Sequence, residues 1–303
     1  MPLDPDVATM LEQLPPFDTS QSAEAARVAG RARQALRSGD PHVQAADLTI
    51  PGPAGVIRAR HYVPSAGNRG RGLLVYYHGG GFVLGDLDSH DGICRDLAAG
   101  SDVAVLAVDY RLAPEHPFPA GVEDAWAALG WAHEQAGALG AEPGNLAVGG
   151  DSAGGNFAAV VSLMARDAGV PLRLQLLVYP VTDETEERRA VRAGGDAGVF
   201  LTTAAMDWFE GHYRADRGDW RASPLLAEDL AGVAPAVVLT CEYDPLRAEG
   251  DEYAQRLSAA GVPVTHRSYP GLVHGVLGMG AVVPAAQALM DECCTALRTA
   301  LGA

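Results

Sequence analysis

From Leu73 onward the chain switches repeatedly between short, almost wholly apolar runs and longer stretches with helical spacing, and few architectures fit that rhythm. The apolar runs fall at 73–77, 103–108, 145–148, 174–179, 236–240 and 264–269. Helical patterns lie between them at about 89–99, 119–138, 153–168 and 246–260, with a last one at 281–301. A strand that is apolar along its whole length, rather than at alternate residues, is covered on both faces. Helices between such strands permit parallel pairing. The expectation is an α/β fold whose mostly parallel central sheet carries helices on both faces.

Two more strands, at 46–50 and 55–63, bring the sheet to about eight. Two helices open the chain. Val7, Met10, Leu11 and Leu14 share one helical face before Pro15-Pro16, and a second pattern over 22–37 is stopped by Gly39 and Pro41. The 303 residues suit one large domain spanning 1–303. One segment, 183–230, breaks the rhythm and holds Phe200, Met206, Trp208, Phe209, Tyr213 and Trp220. An insertion of that size at the carboxyl edge of a parallel sheet reads as a lid, with Met206, Trp208 and Phe209 as candidate substrate contacts.

Charge narrows the partners. The formal net charge of −16 repels nucleic acid and anionic membrane surfaces, so neither is expected. All the basic residues are arginine, which excludes Schiff-base and Ser-Lys mechanisms. Cys94, Cys241, Cys293 and Cys294 lack the spacing of a metal site or a disulfide framework, and read as free thiols in a reducing compartment. The first residues lack a basic and apolar leader, and no apolar run approaches the roughly 20 residues of a membrane span. A cytoplasmic enzyme without metal or organic cofactor is the expectation.

The chemistry centres on Gly150-Asp151-Ser152-Ala153-Gly154, set between the apolar run ending at Gly149 and the helical pattern that follows. A serine between two glycines at a strand-to-helix turn is a nucleophile elbow: a sharp turn that exposes Oγ beside a helix N-terminus. Its base must come late in the chain, because folds with this elbow run serine, acid, histidine. Of nine histidines, His266 falls inside the last strand, whereas His274 follows it in a turn-rich loop. The acid should follow the preceding strand, where Asp244 is the candidate and Glu242 the runner-up. An Asp-Pro pair is often only a helix cap, so that alternative is carried too. His78-Gly79-Gly80-Gly81 follows the strand at 73–77; its glycines let backbone N–H groups converge, and Gly79, Gly80 and Ala153 are the expected oxyanion donors. His78 reads as a brace for that loop. A phosphate loop would need a following Lys-Ser/Thr, which is absent.

Taken with Asp109-Tyr110-Arg111-Leu112-Ala113-Pro114-Glu115, Asp244-Pro245-Leu246-Arg247 and His274-Gly275, these motifs resemble the hormone-sensitive lipase family of α/β-hydrolases, the bacterial family IV esterases. The resemblance implies a triad of Ser152, Asp244 and His274, and a scaffold pair of Arg111 with Glu115. It also implies a cap built from 1–41 and 183–230, short acyl chains and common homodimers. Ala248 and Val276 depart from the family pattern, and the second is expected to alter pocket shape. The implied activity is carboxylic ester hydrolysis through an acyl-enzyme. Amide or lactone hydrolysis on the same triad and a non-catalytic receptor of the same fold are the alternatives; a nucleotide-binding sheet lacks its G-x-G-x-x-G.

Overall fold

The structure, a computed structural model, describes residues 2–31, 39–65, 68, 72–194 and 199–302. The strands are β1 (Gln44–Gly52), β2 (Gly55–Val63), β3 (Leu73–Tyr77), β4 (Ala104–Asp109), β5 (Leu146–Asp151), β6 (Leu174–Val178), β7 (Ala236–Tyr243) and β8 (Val264–Val273). They form one eight-stranded sheet in the order β1-β2-β4-β3-β5-β6-β7-β8. β1 and β2 pair antiparallel, β2 pairs antiparallel with β4, and every other pairing is parallel.

The helices are α1 (Pro5–Gln13), α2 (Ala23–Arg31), α3 (Asp91–Ser101), α4 (Ala120–Glu134), α5 (Ala153–Ala168), α6 (Glu186–Gly194), α7 (Thr203–Tyr213), α8 (Arg247–Ala259) and α9 (Gln287–Leu301). Side chains leave the central strands alternately to two cores. Leu73, Val75 and Tyr77 of β3 pack with Val122 of α4, Phe157 of α5 and Leu257 of α8, while Leu74 and Tyr76 pack with Ile93 of α3 and Leu297 of α9. Each fully buried Leu, Val or Phe adds roughly 1.5–3 kcal/mol of transfer free energy, which makes the uninterrupted apolar runs the foundation of the sheet.

Several boundaries move from their sequence reading for identifiable reasons. The last helix starts at Gln287, not 281, because Pro284 opens a separate turn of 3-10 helix, Pro284–Ala286. The helix expected over 119–138 ends at Glu134. The second opening helix is described to Arg31; its expected continuation to 37 lies outside the described residues. Arg111 and Glu115 do not pair with each other. Arg111 turns inward to the buried Asp124 of α4, at 2.8 Å, whereas Glu115 faces out and takes both nitrogens of Arg27 from α2, at 2.9 and 2.8 Å. That second pair fastens α2 to the body of the fold. All four cysteines are buried and free. Among the described residues, no helix is long and apolar enough to cross a membrane.

Candidate active site

β5 delivers the chain into a turn that only glycine-flanked sequence can make. Ser152 has φ 57 and ψ −118, a region costly for a residue with a side chain, on the order of 1–3 kcal/mol. Its N–H donates to the Val178 carbonyl at 2.9 Å, and its own carbonyl accepts from Asn156 and Val181 at 3.1 and 3.2 Å. A Cβ at Gly150 or Gly154 would collide with the Tyr77 carbonyl oxygen at the end of β3. The glycines therefore let α5 start hard against the neighbouring strand, and the strained serine is held from both sides.

The other two expected residues come from the ends of strands two and three places along the sheet from β5. Asp244 follows β7 and His274 follows β8, so the order of strands in the sheet places both beside the elbow. His274 Nε2 lies 2.8 Å from Ser152 Oγ, and His274 Nδ1 lies 2.7 Å from Asp244 Oδ2. The other oxygen of Asp244 accepts the Leu246 N–H at 2.8 Å, so the carboxylate is oriented by backbone as well as by imidazole. The Tyr179 ring lies against His274 with centroids 4.6 Å apart. Glu242 points elsewhere, accepting the Gly271 N–H at 2.8 Å. His266 bonds to Asp251 at 2.9 Å on β8, away from the serine.

In the glycine loop one of the expected donors is already engaged. The Gly79 N–H already donates to Asp151 Oδ1 at 3.0 Å and so cannot serve an oxyanion. Gly80 and Gly81, both at positive φ, complete the loop, and both border the cavity above Ser152. His78 braces the loop as expected: Nδ1 lies 2.8 Å from the Gly79 carbonyl, its ring stacks on Tyr110 at 4.3 Å, and burial, with His90 nearby, holds its pKa down to about 4. It is a neutral strut at physiological pH. Asp151 is the second residue of the elbow motif, and nothing in the sequence pattern marks its role. It also accepts the Tyr76 hydroxyl at 2.6 Å, with His90 Nε2 at 3.4 Å.

A cavity of about 220 Å³ opens over Ser152 and His274. Met206 and Phe209 of α7 line it, with Leu201 and Ala205 from the same insertion and Phe17 from the N-terminal segment. Trp208, expected beside them, is turned away: its ring meets Phe17 edge-on at 5.1 Å and its Nε1 donates to the Gln21 carbonyl at 3.3 Å. Phe209 also packs on Phe17, with centroids 5.4 Å apart, but of the two helix neighbours it is Phe209 that borders the cavity. Val276 is fully buried in the core with α3 and α9, and Ala248 is exposed on α8. α1 packs its Val7 and Met10 into that same core.

Behind the cavity lies a buried ionic group with no signature in the sequence. Arg192 of α6 grips Glu249 of α8 through two hydrogen bonds, at 2.8 and 2.7 Å, and donates to the Asp183 carbonyl at 2.7 Å. Glu184 and Glu210 stand 3.6 and 3.4 Å from its remaining nitrogen. Burial pushes Glu184 up to about 7, although Arg192 pulls the other way. Among the described residues, no three His, Cys, Asp or Glu side chains are grouped as metal ligands would be.

The chain matches a family profile described as the alpha/beta hydrolase fold over residues 74–278. It is 50% identical to the carboxylic ester hydrolase LipN of Mycobacterium tuberculosis, over 86% of this chain and 71% of that protein. It is 40% identical to the carboxylesterase NlhH of the same organism, over 99% of this chain and 97% of the relative. Among solved structures, a hyperthermophilic esterase from the archaeon Pyrobaculum calidifontis superposes with a TM-score of 0.90 at 39% identity, covering 99% of each chain.

Proposed function

This chain belongs to the hormone-sensitive lipase type of the α/β-hydrolase family, and from that premise we propose that it is a serine carboxylesterase acting on small carboxylic esters through an acyl-enzyme. The observation that carries the reading is the unbroken chain Ser152 Oγ, His274 Nε2, His274 Nδ1, Asp244 Oδ2, with links of 2.8 and 2.7 Å. As Oγ attacks the ester carbonyl carbon, its proton passes to Nε2, and Asp244 holds the imidazolium that forms. Hydrogen bonds from the N–H groups of Gly80, Gly81 and Ala153 take up the charge growing on the carbonyl oxygen. Collapse expels the alcohol, which leaves with the proton from Nε2. Water then gives its proton to the same nitrogen, attacks the acyl carbon, and releases the acid while Ser152 recovers its hydrogen.

The segments carrying α2, α6 and α7 serve in this reading as the cap that closes the pocket. The four buried thiols support a reducing compartment, the cytoplasm. A p-nitrophenyl acetate assay with organophosphate labelling tests the proposal. Turnover that stops in step with labelling of Ser152 supports it; a chain that binds the ester but neither hydrolyses it nor labels would be a receptor instead.

A further inference from the structure

The cavity over Ser152 is walled largely by apolar side chains, and two aromatic rings flank its reacting centre. A Cβ at Gly81 would strike the Phe209 ring, and one at Gly275 would come within 3.1 Å of the Phe200 ring. One ring therefore lies against the glycine loop and the other against the residue after His274. Phe17 adds a third, its centroid 5.4 Å from that of Phe209.

The charges around these rings are lopsided. Asp86, Asp151, Glu184 and Glu210 border the cavity, against Arg27 alone among the described residues. Arg27 is committed to Glu115 and to the Val83 and Ala113 carbonyls. Three of the carboxylates have close partners. Asp151 takes the Tyr76 hydroxyl and the Gly79 N–H, Asp86 takes the Ser89 N–H at 2.7 Å, and Glu210 faces Arg189 and Arg192 at 3.3 and 3.4 Å. Glu184 differs. It is only 6% exposed, its carboxylate accepts no hydrogen bond among the described residues, and its ion pair with Arg192 Nη1 is stretched to 3.6 Å. Arg192 does not border the cavity, and two hydrogen bonds commit it to Glu249. Glu184 is also near the chemistry: the Val181 N–H donates to the Ser152 carbonyl at 3.2 Å, and three residues of chain span at most about 11 Å.

A buried polar group is nearly always satisfied, so a carboxylate left open on a cavity wall points to a missing partner. Its surroundings select the charge of that partner. The carboxylates around the cavity repel an anion. Aromatic faces attract a cation and give a neutral hydroxyl nothing comparable. The net charge of −16 draws cations toward the chain. Glu184, held at about 7, ionises readily when a cation arrives beside it. Apolar walls on the other sides suit an ammonium whose hydrogens are replaced by alkyl groups.

We propose that Glu184, with the rings of Phe200 and Phe209, forms a subsite for an alkylammonium group on the substrate, so that cationic esters are preferred over neutral esters of the same shape. The inference rests on the carboxylesterase reading above and adds the substrate's charge to it.

The test compares kcat/KM of the intact chain, at pH ~8, for two pairs of esters matched in shape. Butyrylcholine and its carbon isostere, in which tert-butyl replaces trimethylammonium, differ only in charge on the alcohol side. Ethyl gamma-trimethylammoniobutyrate and its tert-butyl isostere make the same comparison on the acyl side. In one pair the cation is expected to be favoured about tenfold, the size of one good cation–aromatic contact. Glu184→Gln keeps the shape of the side chain without its charge and should bring that ratio down toward one. Should Glu184→Gln fail to fold, Glu184→Met, uncharged and of similar length, takes its place. Ratios at or below one in both pairs overturn the subsite. So does a preference that the Glu184 variant leaves intact, since the negative field of the whole chain would then explain it. Hydrolysis of the neutral esters with flat ratios sinks the subsite and spares the esterase, whereas no hydrolysis of any of the four sinks both.

Discussion

Ser152 occupies a backbone conformation that glycine would hold more comfortably, with φ 57. The strain is sustained by the bonds to Val178, Asn156 and Val181 and is independent of the hydroxyl. Ser152→Ala should therefore stay folded while losing organophosphate labelling and nearly all turnover. Ser152→Gly should be equally inactive but more stable than Ser152→Ala, by about 1 kcal/mol in denaturant unfolding. Equal stability of the two variants would mean that the turn is relaxed. Asp244→Asn should lower kcat by on the order of 10⁴ by favouring the wrong imidazole tautomer. Glu242→Gln should do far less, since that carboxylate serves Gly271. The reverse ranking would move the acid to Glu242. At this scale the grouping of Ser152, His274 and Asp244 was legible, because chain order and the turn chemistry around each residue single it out. Which glycine N–H groups are already engaged was not: three consecutive glycines look alike in sequence, and only the Asp151 carboxylate, reaching over from β5, decides that the Gly79 N–H is occupied.

Helices and strands were legible where punctuation coincides with burial. β2, β3 and α5 begin and end where the apolar pattern does, at Gly55, Leu73 and Gly169. The inner detail of the 183–230 insertion was not, since which face of α7 meets the cavity depends on how the N-terminal segment packs against it. Phe17 packs on both Trp208 and Phe209, and the bond from Trp208 Nε1 to the Gln21 carbonyl keeps Trp208 off the cavity wall. The consequence is a division of labour along one helix. Met206→Ala and Phe209→Ala should shift the preference across a p-nitrophenyl acyl-length series toward longer chains. Trp208→Ala should leave that preference alone and lower stability, by roughly 2 kcal/mol for a partly buried aromatic. A changed acyl preference in Trp208→Ala, with no loss in melting temperature, would contradict this assignment of faces.

For the molecule as a whole, the buried ionic group sets a pH dependence that composition alone hides. Glu184 sits at about 7 in the folded chain, above its value in the unfolded one. A pKa raised by folding means that the native state holds the proton more tightly. The stabilisation is therefore complete below the unfolded value and fades as pH rises through about 7. Glu184→Gln mimics the protonated form, so it should match the wild type near pH ~5 and exceed it near pH ~8, by up to a few kcal/mol, in urea unfolding. A difference that is the same at both pH values would show Glu184 charged throughout. His78 tilts the opposite way: held down to about 4, it contributes stability that is full above its unfolded value and is lost as pH falls toward 4.

Asp151 Oδ1 receives the Tyr76 hydroxyl and the Gly79 N–H, with His90 close by, and so ties the glycine loop to the turn that carries Ser152. In the mechanism proposed above, that tie sets the gap between Ser152 Oγ and the Gly80 and Gly81 N–H groups when the chain folds. On the same mechanism the reacting groups stand in place before an ester arrives. Such an enzyme has no means of withholding its chemistry from a poor substrate once that substrate is seated. It chooses at the door, and its catholic or narrow taste in esters is a property of the walls alone.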